Sequence, residues 1–174
     1  DRFPGARVLV IGDIILDEYI WGDVSRISPE APVPVVEIVN DEKRPGGAAN
    51  VVHNIASLKG QADVCGVVGD DIYGRNIREV FEGLGLQTAG IITDPGRCTS
   101  IKTRILGHNQ QMIRIDREKK YPVSDEITQK ILGFLEKRMN NIDALIVSDY
   151  GKGMVTSSLM DGIRALKTRR DIII

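Results

Sequence analysis

"VLVIGD", residues 8–13, decides how the rest of the chain is read. Four apolar residues run without a polar interruption and stop at Gly12-Asp13. The pattern returns at Val64–Val68, closed by Gly69-Asp70, and at Ala144–Val147, closed by Ser148-Asp149. Short continuous apolar runs, as opposed to alternating ones, mark strands buried on both faces of a parallel sheet. Helical periodicity fills the intervals, over about 48–59, 72–83, 126–139 and 157–168. Strands alternating with helices predict an α/β architecture with right-handed crossovers. In such sheets ligands bind outside the carboxyl ends of the strands, where the three Gly-Asp and Ser-Asp pairs fall.

Two stretches do not fit a single parallel sheet. Residues 33–39, Val-Pro-Val-Val-Glu-Ile-Val, are β-prone, and their prolines suit an edge strand. Residues 99–106 and 111–117 flank Gly107-His108-Asn109-Gln110 and predict a hairpin. These segments are assigned to a small β-sheet lid, at about 33–43 and 97–118, within one domain spanning 1–174. The closing Arg170-Asp171-Ile172-Ile173-Ile174 resembles the opening of a further buried strand. Its backbone groups and apolar face would be half-matched there, so the chain is expected to be a C-terminally truncated piece of a longer α/β domain.

Composition narrows the function classes. Hydrophobic residues make up 42% and charged residues 27%, ordinary for a globular domain. A formal net charge of −1 provides no global field for nucleic acid or anionic lipid. No apolar run reaches the roughly 18 residues of a membrane span. Cys65 and Cys98 form no CxxC pair, and the two histidines have no metal spacing. Together these predict a cytoplasmic protein with both cysteines packed as small hydrophobes. There is no GxxxxGK[ST] phosphate loop, and no GxGxxG follows the first strand, which disfavours a dinucleotide enzyme.

Four motifs carry candidate chemistry. In Arg44-Pro45-Gly46-Gly47-Ala48-Ala49-Asn50 the paired glycines permit close backbone approach. Asn50, in the first helical turn, either caps the helix or aims its amide at a ligand. Asp13 and Asp17, four residues apart after the first strand, either accept hydrogen bonds from ligand hydroxyls or cap and solvate a loop. Residues 97–120 carry seven cations against two carboxylates, a local surplus of +5. Within that hairpin Lys102 and Arg104 share one face; with Arg114 they suit either an anion site or a solvated surface. Asp149-Tyr150-Gly151-Lys152-Gly153 follows the third strand as a tight turn, in which Lys152 could meet an anion. His53 and His108 are read as packing and turn residues, and Tyr19 and Trp21 as packing beside the first loop.

Gly46-Gly47-Ala48-Ala49-Asn50 after a β-rich segment resembles the N-terminal signature of the ribokinase-like sugar kinases. Gly69-Asp70-Asp71 with Gly74, leading to Gly83-Leu84-Gly85, is similar to that family as well. The stretch Gly22 to Val35 (GDVSRISPEAPVPV) is more specific. It resembles the heptose-7-phosphate kinase branch, as do Asn109–Asp116 and Ser148–Gly153. The resemblance spans essentially the whole chain. It implies a three-layer sandwich with a β lid and ATP-dependent phosphorylation of the anomeric hydroxyl of D-glycero-D-manno-heptose 7-phosphate. ATP and Mg2+ are the implied cofactors.

By the same resemblance Asp17, Gly46, Gly47 and Asn50 bind sugar hydroxyls. Lys102, Arg104 and Arg114 are expected at the sugar phosphate, and Asp149 and Lys152 on the anion or nucleotide side. A homodimer through the lid and a fused or separate adenylyltransferase are the expected partners, with no nucleic acid and no membrane. The family's second signature, a Gly-Ala-Gly-Asp turn that holds the catalytic base, is not among these 174 residues. No catalytic residue is therefore assigned here, and the chain alone is expected not to turn over ATP. The rival readings are another ribokinase-like sugar or nucleoside kinase, or a non-catalytic sugar-binding domain of that fold.

Overall fold

A computed structural model describes residues 5–108, 110–168 and 172–174. The three apolar runs become β1 (Arg7–Gly12), β4 (Gln61–Gly69) and β8 (Ala144–Ser148). With β5 (Ile91–Asp94) they form a parallel sheet in the order β5-β4-β1-β8. Alternate residues of β1 point to opposite sides. Val8 and Val10 pack with helices α1 (Ala48–Ser57) and α2 (Ile72–Gly83), through Val52, Ile77 and Phe81. Leu9 and Ile11 pack with α3 (Asp125–Arg138) and α4 (Ser157–Lys167), through Ile131, Leu135 and Leu159. The result is helix, sheet, helix: three layers with a core on each face of the sheet. Each helix lies within a few residues of its sequence-predicted span.

The helix ends follow from local chemistry. Asp71 caps α2 by accepting from Gly74 N at 2.8 Å, and Ser124 and Thr156 cap α3 and α4 in the same way. Asp125 and Glu126 open α3 while Lys137 and Arg138 close it, matching the helix dipole. Helix α1 has Gly47 as its cap and no side-chain bond there. Its first amide, from Ala48, donates instead to the carbonyl of Asp13 at 2.9 Å.

A second sheet, in the order β3-β2-β6-β7, is the lid. It holds the expected hairpin as β6 (Ser100–Gly107) and β7 (Gln110–Arg117), antiparallel, with a register shift at Ile105/Leu106. Asn109, in the turn, lies outside the described residues. Strand β3 (Pro34–Gly47) is an edge strand, as its prolines require, but continues through the paired glycines. The strand missed from sequence is β2 (Ile14–Ile27), which pairs antiparallel with β3 and parallel with β6. It follows β1 after a single residue, Asp13, so the loop expected over Asp13–Asp17 is strand from Ile14 onward. Charged and apolar residues sit on both of its faces, and that mixture hid the period of two. The four-residue strand β5 was too short to stand out.

Beside β8, Ile173 forms a parallel bridge with Ala144, and Ile172 is buried. Arg170 and Asp171 of that expected strand lie outside the described residues.

Candidate functional site

The two carboxylates that end β1 and begin the lid have separate jobs. Asp13 is buried and accepts three backbone amides, from Tyr150 at 2.8 Å, Lys152 at 3.1 Å and Met154 at 3.2 Å. It therefore ties the turn after β8 to the end of β1 and has little left for a ligand. Asp17 is two strand periods further on, on a lid strand. It accepts from Arg104 Nη1 at 2.5 Å and lines a cavity of about 640 Å³. Pockets of that size commonly take small ligands.

Asn50 lines the same cavity from α1, together with His53 and Asn54. The spacing 50, 53, 54 is one face of a helix whose other face, Ala48, Ala49, Val52 and Ile55, is buried. Since Gly47 caps α1, the Asn50 amide is not spent on the helix and makes no hydrogen bond to a described residue. The glycines seat this arrangement. A Cβ on Gly46 would lie against the Asp17 carboxylate, and one on Gly47 against the Asp13 carbonyl. Gly47 also takes a left-handed φ of 57°. Both glycines are buried, and the space they vacate holds the chain's own carboxylate and carbonyl.

The register of the lid groups its charges. Asp17 lies opposite Arg44 on β3 and Lys102 on β6; Tyr19 lies opposite Glu42 and Arg104. The Arg44 and Arg104 guanidinium carbons are each 5.0 Å from the centre of the Tyr19 ring, and Trp21 stacks on that ring at 5.7 Å. Burial pulls the Arg104 guanidinium down, but its hydrogen bond and charge contact with Asp17 outweigh this and raise its pKa. Arg44 makes two hydrogen bonds to Glu42, at 2.7 and 2.6 Å. Those bonds hold the Glu42 carboxyl below the usual carboxylate range.

The hairpin cations are mostly committed. Lys102 Nζ is 2.9 Å from Asp116, which also accepts from Arg114 Nε at 2.8 Å. Lys152 is buried, with its Nζ 2.6 Å from Glu118. Lys152 first, then Lys120 and Lys102, hold the Glu118 carboxyl below its usual range despite its burial. Asp149 is exposed and accepts from Gly151 N at 2.8 Å, closing the turn after β8. So Asp17 and Asn50 share the cavity and Arg104 joins them through Asp17; Lys102 and Arg114 pair around Asp116; Asp149 and Lys152 lie on the turn after β8, from which Lys152 reaches Glu118 beside Lys102. Reading the sequence missed Glu42, Arg44 and His53 at the cavity. The polar face at 50, 53 and 54 was the signal for His53. Cys65 is buried, and that burial pushes its thiol up to about 12; Cys98 is only half-buried.

A family model for the pfkB family carbohydrate kinases matches residues 6–167. The chain belongs to this family. The fold is also seen in a carbohydrate kinase from Agrobacterium tumefaciens. That structure superimposes with a TM-score of 0.66 at 16% identity, covering 94% of this chain and 50% of that one. Among curated relatives, the bifunctional protein HldE of Helicobacter pylori strain P12 is 43% identical over 97% of this chain and 36% of its own length. HldE of Desulfatibacillum aliphaticivorans is 48% identical over 91% of this chain and 32% of its own length. The chain thus spans about a third of the length of these relatives.

Proposed function

We propose that this chain forms the sugar side and lid of a heptose-7-phosphate kinase. The reaction is transfer of the γ-phosphoryl group of ATP to O1 of D-glycero-D-manno-heptose 7-phosphate. The products are the 1,7-bisphosphate and ADP, and the O1 proton passes to a base. After a phosphatase has hydrolysed the 7-phosphate, an adenylyltransferase, fused or separate, transfers AMP from ATP to the remaining 1-phosphate with loss of pyrophosphate, giving ADP-heptose for the lipopolysaccharide inner core. The observation that carries this reading is one cavity holding both Asp17 and Asn50, in a chain 43–48% identical to bifunctional HldE proteins.

Within it the carboxylate of Asp17 accepts hydrogen bonds from sugar hydroxyls. Arg104 fixes that carboxylate, and the Asn50 amide offers both a donor and an acceptor. Holding the sugar in one orientation is one of the two contributions a protein makes to phosphoryl transfer, the other being stabilisation of the developing charge. Among the described residues no three His, Cys, Asp or Glu side chains cluster as a metal site. ATP would carry Mg2+ on its phosphates, and no step is assigned to metal ligands of this chain. The base and the phosphoryl-stabilising amides belong to the Gly-Ala-Gly-Asp turn that these 174 residues lack.

The outer lid face exposes Ile38, Ile113 and Ile115, which supports a homodimer closed through the lid in the cytoplasm. Sedimentation of the full-length protein at micromolar concentration should show the dimer. The activity is tested by ADP release from the full-length protein with heptose 7-phosphate, ribose, fructose 6-phosphate and a nucleoside. The expected result is turnover with the heptose alone, and none above a no-enzyme control from the 174-residue chain. Preference for another sugar or nucleoside would move the protein to a different branch of the family. Binding without turnover in the full-length protein would make it a sugar-binding domain.

A further inference from the structure

We propose that Arg44, a residue outside the basic hairpin, reads the phosphate of the phosphorylated sugar. This assignment rests on the sugar-phosphate reading above and deepens it. The first argument is place. Arg44 lines the cavity that holds Asp17 and Asn50, and it lies directly across the β2–β3 ladder from Asp17. Residues so paired have Cβ atoms about 4.5–5.5 Å apart on one face. A sugar whose hydroxyls rest on Asp17 therefore carries its phosphate within reach of the Arg44 side chain. Lys43, next to it on this edge strand, lines the same cavity and adds a second positive charge.

The second argument is availability. Lys102 is held by Asp116 and faces Glu118 at 3.8 Å, with its side chain only 17% exposed. Arg104 is the partner of Asp17 and cannot leave it without freeing the carboxylate that binds the sugar. Arg114 sits on β7, the far edge of the lid from β3. Arg44 is also paired, but with Glu42, two residues away on its own strand, and the two side chains are 52% and 45% exposed. Such solvent-screened pairs are weak and exchange readily. A phosphate dianion accepts the same two-pronged donation with more charge than a carboxylate.

The third argument is shape. The Arg44 guanidinium already lies over the Tyr19 ring, with its Nε and Nη2 N–H groups donated side by side to Glu42. Glu42 then acts as a placeholder: it keeps the donor fork ordered in the free protein and gives way to the incoming phosphate. A sugar without a phosphate leaves the Arg44–Glu42 pair closed and gains nothing from it. Arg44 is thus a specificity residue for phosphorylated over unphosphorylated sugars.

The test uses the full-length protein and calorimetric titration with heptose 7-phosphate and with the dephosphorylated heptose. Arg44→Ala should weaken binding of the phosphorylated sugar by about 10- to 150-fold, the value of a charged hydrogen bond. It should change binding of the dephosphorylated sugar by less than about twofold. Arg44→Lys should recover part of the loss, since it restores the charge without the fork. Equal losses for both sugars, or no loss for either, would overturn the assignment. A selective loss in Lys102→Ala with none in Arg44→Ala would transfer the role to the hairpin. A wild-type protein that binds neither sugar would overturn the sugar-phosphate reading itself, an outcome distinct from the others.

Discussion

The described residues form two four-stranded sheets with opposite constructions. In the parallel sheet Leu9, Val10 and Ile11 are completely buried between two helix layers. In the lid all eight residues of β7 are exposed, and β3 is mostly so until it reaches Pro45. The parallel sheet is held by hydrophobic burial on both faces. The lid is held by its backbone ladder together with cross-strand pairs such as Arg104–Asp17, Lys102–Asp116 and Thr103–Glu18. Apolar burial is non-directional and sums to most of the stability, whereas exposed and half-exposed ion pairs contribute little of it. The difference teaches that the body supplies stability, while the lid supplies the charged side of the candidate site and helix α1 its polar side. Substitutions in the two sheets should therefore register in different assays.

The largest effect on stability belongs to the body. Phe81→Ala, at a fully buried position, should destabilise the protein by about 3–5 kcal/mol in urea unfolding. A loss under 1 kcal/mol would break the contrast from the side of the body. Next is Asp13→Ala, at the hinge between the sheets. It leaves three backbone amides without their acceptor and should cost about 1–3 kcal/mol for each one that water does not reach. Protection of the Tyr150, Lys152 and Met154 amides against hydrogen exchange should fall with it.

Acid titration gives a smaller effect of the same kind. Burial pushes the Asp71 carboxyl up, but hydrogen bonds from Thr99, Gly74 and Tyr73 outweigh this and hold it below its ordinary value of 3.8. A carboxyl with a depressed folded pKa contributes stability fully above its unfolded pKa and loses it as pH falls through the folded value. Asp71→Asn should thus be less stable than wild type near neutrality, with the gap closing as the pH drops below about 3.8. A gap that widens on acidification would contradict the assignment. The smallest effect is expected on the lid's outer face, where Ile113→Ala should shift stability by less than about 0.5 kcal/mol. Sedimentation of the same variant should show a weakened dimer if that face associates.

The contrast also explains what could be read from the sequence. The body was legible because VLVIGD and its two echoes have no alternative as buried strands, and because the intervening helices alternate polar and apolar faces cleanly. The lid was legible where prolines marked its edge strand at 33–39 and where a turn signal marked the hairpin at Gly107. Strand β2 was not, since Asp17, Glu18, Tyr19 and Ile20 place charge and bulk on both faces and leave no alternation to detect. The candidate site depends on that strand. Local motifs made Asp17 and Asn50 candidates, and the family resemblance gave them the sugar hydroxyls. That Asp13 is consumed by backbone amides, and that Arg44 stands across from Asp17, follows from strand register, which a single sequence does not carry.

The central claim is that the cavity between α1 and the lid is where the sugar binds, with Asp17 as its anchor. It is tested most directly by titrating heptose 7-phosphate into the full-length wild type and into Asp17→Ala, with thermal unfolding of both recorded alongside. The prediction is a loss of about 10- to 150-fold in affinity, since a charged hydrogen bond is removed from the ligand. The melting temperature should stay within a few degrees, because Asp17 belongs to the half-exposed lid and not to the core. Affinity unchanged in a folded Asp17→Ala protein would contradict the account.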